Sequence, residues 1–214
     1  MIKIYSLVYG KSVLGEDQIY KGGGREKQPI TFSIFLVQTE KDLVLIDAGC
    51  DYMPGFNMRE YFSPAFVLRQ QGFAPKDITD VIITHAHHDH IEAVKHFENA
   101  TVHINSDEYE NGKDYIPENF SLNIFEEGTL VADCLEVVKI GGHSKGSCIV
   151  KYNNLIFAGD ECYTNDNLKS KIPTGAYYNA QKSLEFINEY GKEKYTVFTC
   201  HDITLKTERI FSNE

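Results

Sequence analysis

No stretch of the chain approaches the ~18–20 consecutive apolar residues that a membrane-spanning helix needs, so a membrane is not an expected partner. The opening run from Met1 to Gly10 is too short and too mixed for a secretory signal, and it reads instead as a strand. Positive charge is scarce: 21 Lys and Arg stand against 31 Asp and Glu, a formal net charge of -10. With no basic patch set apart, such a chain repels phosphate backbones, and nucleic acid is not an expected partner either. The five cysteines (Cys50, Cys134, Cys148, Cys162, Cys200) form no C-x-x-C pair. An odd, scattered set points to reduced thiols and a cytoplasmic protein. No spacer rich in Pro, Gly or Ser divides the chain, so its 214 residues, 42% of them hydrophobic, are read as one domain spanning 1–214.

What is present centres on Thr84-His85-Ala86-His87-His88-Asp89-His90, which follows the apolar run Val81-Ile82-Ile83. That run reads as a buried strand. Imidazole nitrogens and carboxylate oxygens are ligands for zinc and its first-row neighbours. His85 and His87 are two residues apart, so an extended chain leaving the strand points both the same way. Asp89 and His90 come after a turn and face a second nearby point, an arrangement that suits two ions.

An internal echo surrounds this stretch. Residues 33–37 and 43–47 read as a hairpin ending in Asp47, followed by a loop at 50–58, a helix over 59–71 and the strand before His85. Residues 147–150 and 155–160 read as a second hairpin ending in Asp160, followed by a helix at 180–190 and a strand over 195–200 that ends in His201. Two α/β halves of this kind stack their sheets face to face with helices outside, and strand-end ligands meet along one edge. Between them come a helix over 89–98, a strand at 101–104, a short helix or turn at 106–113, and strands near 122–125 and 135–140. His143 lies in the turn Gly141-Gly142-His143-Ser144-Lys145-Gly146-Ser147, from which a side chain can reach a site at a sheet edge. Residues 15–29 read as a polar loop whose Gly22-Gly23-Gly24 is a flexible cover or, on a weak signal, an anion cradle.

The series His85-x-His87-x-Asp89-His90, His143 in Gly-His-Ser-x-Gly-Ser, Asp160 after an apolar run, and His201 before Asp202 resembles the metallo-β-lactamase superfamily, with Asp47 in Leu-Ile-Asp-Ala-Gly as the opening motif. The resemblance implies an αββα sandwich, a four-layer α/β fold of two pseudo-equivalent halves. It also implies two divalent ions, zinc being expected and manganese or iron the alternatives. By that likeness His85, His87 and His143 hold one ion, Asp89, His90 and His201 hold the other, Asp160 bridges them, and Asp47 steadies a metal-binding histidine or the loop beside it. Asp160-Glu161-Cys162-Tyr163-Thr164 is similar to the segment of N-acyl homoserine lactone lactonases with a tyrosine three residues after the bridging aspartate. Two departures bear on the substrate: Glu92-Ala93 stands where a glycine pair is usual, and Lys145 where a proline is usual.

The function implied is a metal-dependent hydrolase that opens an ester or lactone of small size. A metal-bridging hydroxide would attack, Tyr163 would stabilise the oxyanion and Asp89 would pass a proton to the leaving group. A thioesterase similar to glyoxalase II is one alternative. A di-iron redox protein working with a separate flavin partner is another, and a non-catalytic metal-bound scaffold a third. His88, His96 and His103 are expected outside the ligand set, Cys162 and Cys200 as buried inert thiols, and Lys145 as solvated.

Overall fold

The computed structural model describes residues 1–213. Strands β1 (Ile2–Gly15) and β2 (Lys27–Gln38) form a long antiparallel pair, joined through helix α1 (Glu16–Ile19). Strand β3 (Leu43–Ile46) pairs antiparallel with β2. Helix α2 (Pro64–Gln70) then leads to β4 (Asp80–Ile83), α3 (His88–Ile91) to β5 (Thr101–Asn105), and α4 (Ser106–Gly112) to β6 (Ser121–Phe125). Strands β3 to β6 are mutually parallel. Strands β7 (Gly128–Val131), β8 (Leu135–Lys139), β9 (Cys148–Tyr152) and β10 (Leu155–Phe157) form an antiparallel meander. Helices α5 (Asn165–Ser170) and α6 (Ala180–Tyr190) connect it to β11 (Thr196–Phe198), which runs parallel to β10. Finally β12 (Glu208–Asn213) returns to pair with β1. The sheet orders are β12-β1-β2-β3-β4-β5-β6 and β11-β10-β9-β8-β7.

Strand alternation sorts the side chains into layers. Phe35 and Val37 of β2, Val44 and Ile46 of β3, and Ile82 of β4 pack against Val137, Val150 and Phe157 of the second sheet. Their neighbours Leu36, Leu45, Val81 and Ile83 face the other way, onto Val67 and Leu68 of α2 and Ile91 of α3. On the far side, Ile149 and Ile156 pack on Phe186 and Ile187 of α6. The result is the expected αββα sandwich. Fully burying one such side chain contributes roughly 1.5–3 kcal/mol, so the layers hold the strand ends, and whatever they carry, in fixed relation.

The echo is present in the topology. Each sheet contains an antiparallel hairpin (β2-β3, β9-β10) whose second strand pairs in parallel with the strand reached through the next helices (β4, β11). The halves are unequal, with seven strands against five. Several element bounds differ from expectation. The first strand reaches Gly15 and its partner begins at Lys27, so the loop expected over 15–29 is trimmed at both ends to helix α1 and an irregular turn at 20–26. The helix expected over 59–71 begins only at Pro64, because Ser63 caps it, accepting from the Phe66 amide at 3.3 Å, and proline at the first helical position leaves no way to extend backwards. The helix over 89–98 divides into α3 and a 3-10 segment at Glu92–His96. Strands β7 and β12 and helix α5 were not anticipated.

Candidate metal centre

Strand β3 ends at Ile46, and Asp47 follows in the left-handed region at φ 63°, a conformation aspartate tolerates better than most residues. The turn aims its carboxylate across the end of β4. Oδ1 accepts from the Thr84 amide at 2.8 Å, and Oδ2 accepts from Thr84 Oγ1 at 3.0 Å and from His90 Nδ1 at 2.8 Å. Asp47 therefore orients His90.

The chain brings the predicted ligands together from both sheets. His85 Nε2 and His143 Nε2 each lie 3.0 Å from His87 Nδ1. The same two nitrogens lie 3.5 and 3.4 Å from Asp160 Oδ2. The other carboxylate oxygen, Asp160 Oδ1, lies 3.3 Å from His90 Nε2 and 3.2 Å from His201 Nε2. Asp89 Oδ2 is 3.7 Å from both of those nitrogens. One carboxylate thus faces an imidazole group on each side.

Hydrogen bonds away from the centre decide which nitrogens are free. His143 Nδ1 lies 3.0 Å from the Ala176 carbonyl, and His201 Nδ1 lies 2.8 Å from the Thr31 carbonyl. A carbonyl only accepts, so both Nδ1 atoms carry the proton and both Nε2 lone pairs point inward. The Thr84 hydroxyl, already donating to Asp47, accepts from His85 Nδ1 at 3.2 Å, with the same consequence. The inward lone pairs of His85 and His143 both face His87 Nδ1, which has one proton at most to offer. His90 Nε2 is buried without any hydrogen-bond partner. This donor set fits cations, which lone pairs facing one another require.

Charge is divided between the groups. Burial pushes His85 well below the usual imidazole range, with His90 adding to it, and burial lowers His143 as well. Burial works on His90 too, but Asp47, Asp160 and Asp89 outweigh it and hold His90 well above that range. Burial opposes ionisation of Asp160, yet the surrounding His90, His201, His85 and His143 hold it well below the carboxylate range. The centre keeps a buried negative charge and attracts positive charge to it.

Two further carboxylates hold the His143 turn. Glu161 Oε1 accepts from the Gly142 and His143 amides at 3.0 and 3.2 Å and from the Ser147 hydroxyl, and burial pushes its pKa up to about 7. Glu108 Oε1 accepts from Ser144 Oγ at 2.7 Å and from the Gly146 amide at 2.8 Å. Neither glutamate was singled out from sequence. The close approach of Gly142 to Glu161 and of Gly146 to Glu108 exists only in the folded chain, so no local signal marks either glutamate.

Cys200 is buried in the core between the sheets, as expected, and its Sγ also donates to Asp160 Oδ1 at 3.2 Å. His90, Asp160, Cys200 and His201 form one cluster of potential ligand atoms, and His85, His87, His143 and Asp160 another. Burial holds the Cys200 thiol well above its usual range, which keeps it a donor.

A cavity of about 310 Å³ opens onto the centre. Its polar wall includes His87, His88, Asp89, Asp160, Tyr163 and His201. The Tyr163 ring meets His143 and His201 edge-on, with centroids 5.8 and 5.2 Å away, and burial holds its hydroxyl protonated far above the usual phenol range. The apolar wall is Leu14, Ile30, Phe32, Met53, Phe56 and Ala176. Three of these, Leu14, Ile30 and Phe32, come from the β1–β2 extension that sequence did not reveal. A larger hollow of about 570 Å³ beside Phe62 and Phe66 holds none of the clustered imidazoles.

The remaining residues have other partners. His88 bonds the Tyr52 carbonyl and the Tyr115 hydroxyl, His96 bonds Asp51, and His103 bonds Asp80. Lys145, mostly exposed, pairs with Asp107 at 2.8 Å. Glu92 accepts from the Asp51 amide at 2.7 Å. The Gly24 amide donates to Glu16 Oε2 at 3.0 Å and the Gly23 amide to the Tyr20 carbonyl at 2.9 Å, so two of the three glycine amides are engaged within the turn.

Comparison with known proteins agrees with the geometry. A probable metallo-hydrolase of Methanocaldococcus jannaschii is 29% identical over 145 residues, which are 67% of this chain and 66% of that one. An N-acyl homoserine lactonase of Bacillus thuringiensis is 26% identical over 212 residues, covering 83% of this chain and 84% of the other. Among solved structures, an N-acyl homoserine lactone hydrolase with N-hexanoyl-L-homoserine bound at its catalytic metal centre superposes with a TM-score of 0.82 at 20% identity, covering 97% of this chain and 98% of that one. A probable metal-dependent hydrolase from Staphylococcus aureus gives 0.80 at 21% identity, over 94% and 89%. Residues 32–201, from the Phe32 wall of the cavity to His201, match the sequence profile of the Metallo-beta-lactamase superfamily, and the chain belongs to that superfamily.

Proposed function

We propose that the chain is a dinuclear metal-dependent hydrolase that opens a lactone or a comparable small ester. The observation that carries this reading is Asp160, whose two oxygens face separate imidazole groups at the floor of an apolar-walled cavity. His85, His87 and His143 would hold one cation, Asp89, His90 and His201 the other, with Asp160 shared and zinc the expected metal. Cations bound there lower the pKa of water and draw charge from a carbonyl oxygen.

The chain's own residues supply the rest. Tyr163, held protonated, donates to the substrate carbonyl oxygen and to the negative charge that grows on it. Asp89 faces the same cavity; it takes a proton from the water that adds to the carbonyl carbon and passes it to the alkoxide released as the ring C–O bond breaks, so that ring opening yields a hydroxy acid. Phe32, Met53 and Phe56 exclude water and accept an apolar substituent. An N-acyl homoserine lactone, named for the relatives above, is the first substrate to try. No lysine or arginine lines this cavity, which favours a neutral lactone over the acidic thioester of a glyoxalase-II-like enzyme. The five free cysteines, four of them buried, support a reducing compartment such as the cytoplasm.

The test is a panel of lactones, thioesters, phosphodiesters and β-lactams assayed on protein of measured metal content. Lactone turnover that disappears on chelation and returns with zinc or manganese is expected. Turnover of thioesters alone would replace the lactonase reading. An iron-bound protein with a visible absorption band and no ester turnover would point to redox chemistry instead.

A further inference from the structure

Helix α4 lies between the two loops that carry the first imidazole group. Gly112, at its C-terminal end, faces Ala86, the residue between His85 and His87; a methyl built on Gly112 would lie 3.0 Å from the Ala86 Cβ and 2.7 Å from Ile91 Cδ1. Gly146, three residues after His143, faces the helix's first turn; a methyl there would lie 2.9 Å from Glu108 Cγ and 3.0 Å from Asp107 Cβ. Both glycines permit an approach that a larger residue would prevent.

Within this close packing Glu108 is only 2% exposed. Its Oε2 accepts from the Ala86 amide at 2.8 Å, and its Oε1 accepts from Ser144 Oγ at 2.7 Å and from the Gly146 amide at 2.8 Å. All three partners donate, and a carboxylate is the side chain that only accepts. One buried group therefore ties the His85–His87 loop to the residues that follow His143. None of its hydrogen bonds reaches His90, His201 or Asp89.

We propose that Glu108 is a positioning residue for the first cation site, a clasp that sets its affinity while leaving the second site alone. The proposal rests on the metal reading above. Glu108→Gln would place an amide N–H either against the Ala86 amide or against the Ser144 hydroxyl and the Gly146 amide, so one loop is released whichever way the amide turns.

Titrating the metal-free chain with cobalt(II), followed by visible absorption and by chelator competition, resolves the two equivalents. For Glu108→Gln one equivalent is expected to keep wild-type affinity and the other to weaken by roughly 10–100-fold, the range for residues that orient metal ligands. Glu110→Gln, on the same helix but exposed and paired with Lys113, should change neither. Should Glu108→Gln not fold, Ser144→Ala removes one of the three donors and should weaken the same equivalent by a smaller factor. Two equivalents of wild-type affinity, or equal weakening of both, would overturn the proposal. A wild-type chain that takes up no cobalt overturns the metal reading itself, and that outcome is seen before any variant is made.

Discussion

Asp47 and Tyr163 show how single side chains divide the work. Asp47 is held at φ 63°, where most side chains cost ~1–2 kcal/mol, and residues strained in this way persist where surrounding contacts over-determine them. Its three hydrogen bonds join the end of β4 to His90. Asp47→Asn tolerates the same backbone but cannot accept at both ends of its side chain. It should fold, with metal affinity at the His90 side reduced by roughly 10–100-fold, measurable by chelator competition. Tyr163 stands on the other side of the division, a protonated hydroxyl beside the shared aspartate. Tyr163→Phe should leave metal content at the wild-type level and lower kcat by roughly 10²-fold, in the range for removing one oxyanion donor. Full activity in that variant would take the tyrosine out of the mechanism.

Elements deliver these side chains because strands end where the candidate ligands begin. Asp47 follows β3, the His85 turn follows β4, Asp160 follows β10 and His201 follows β11. A ladder of polar side chains crosses the parallel strands nearby: Asp80 bonds His103 at 2.7 Å, and Asn123 bonds the other ring nitrogen at 3.0 Å. Burial works against the Asp80 charge, but the hydrogen bonds from His103 and Thr79 and the attraction of His103 together outweigh it and lower the carboxyl pKa from 3.8. A lowered folded-state pKa stabilises above the unfolded value, and that stability is lost as pH falls through the folded one. Asp80→Asn should therefore cost about 1–2 kcal/mol at pH 7 and flatten the stability profile below pH ~4, as followed by urea melts across that range. The strands next to the ligands were legible because Val81-Ile82-Ile83 and Leu155-Ile156-Phe157 are uninterrupted apolar runs, which buried strands require. Strand β12 was not, since Glu208 and Arg209 are exposed and its place is decided by pairing with β1 across the whole chain. The β1–β2 extension hid for a related reason: Lys11, Val13 and Lys27 mix polar and exposed positions, and its pairing is fixed from both strands at once. Glu108 and Glu161 carry no local mark, because a glutamate becomes a clasp only through partners distant in sequence.

At the scale of the molecule, the centre joins the two sheets. His85 and His90 lie in the turn and helix α3 that follow β4 of the first sheet, and His143, Asp160 and His201 in the connections of the second. Cations held there would link the layers, so chelation should lower Tm; ligand at 100 times its Kd is worth ~2.7 kcal/mol, or roughly 5–10 °C for a chain of this size. The central claim is that Asp160 is shared between two cations. The direct measurement is metal content per chain after saturation and desalting, on wild type and on Asp160→Ala prepared together, with Tyr163→Phe as the variant whose fold and ligands are unaltered. Two ions are expected for wild type and for Tyr163→Phe, and fewer than one for Asp160→Ala. A wild-type chain that holds no ion, or an Asp160→Ala chain that still holds two, would contradict the account.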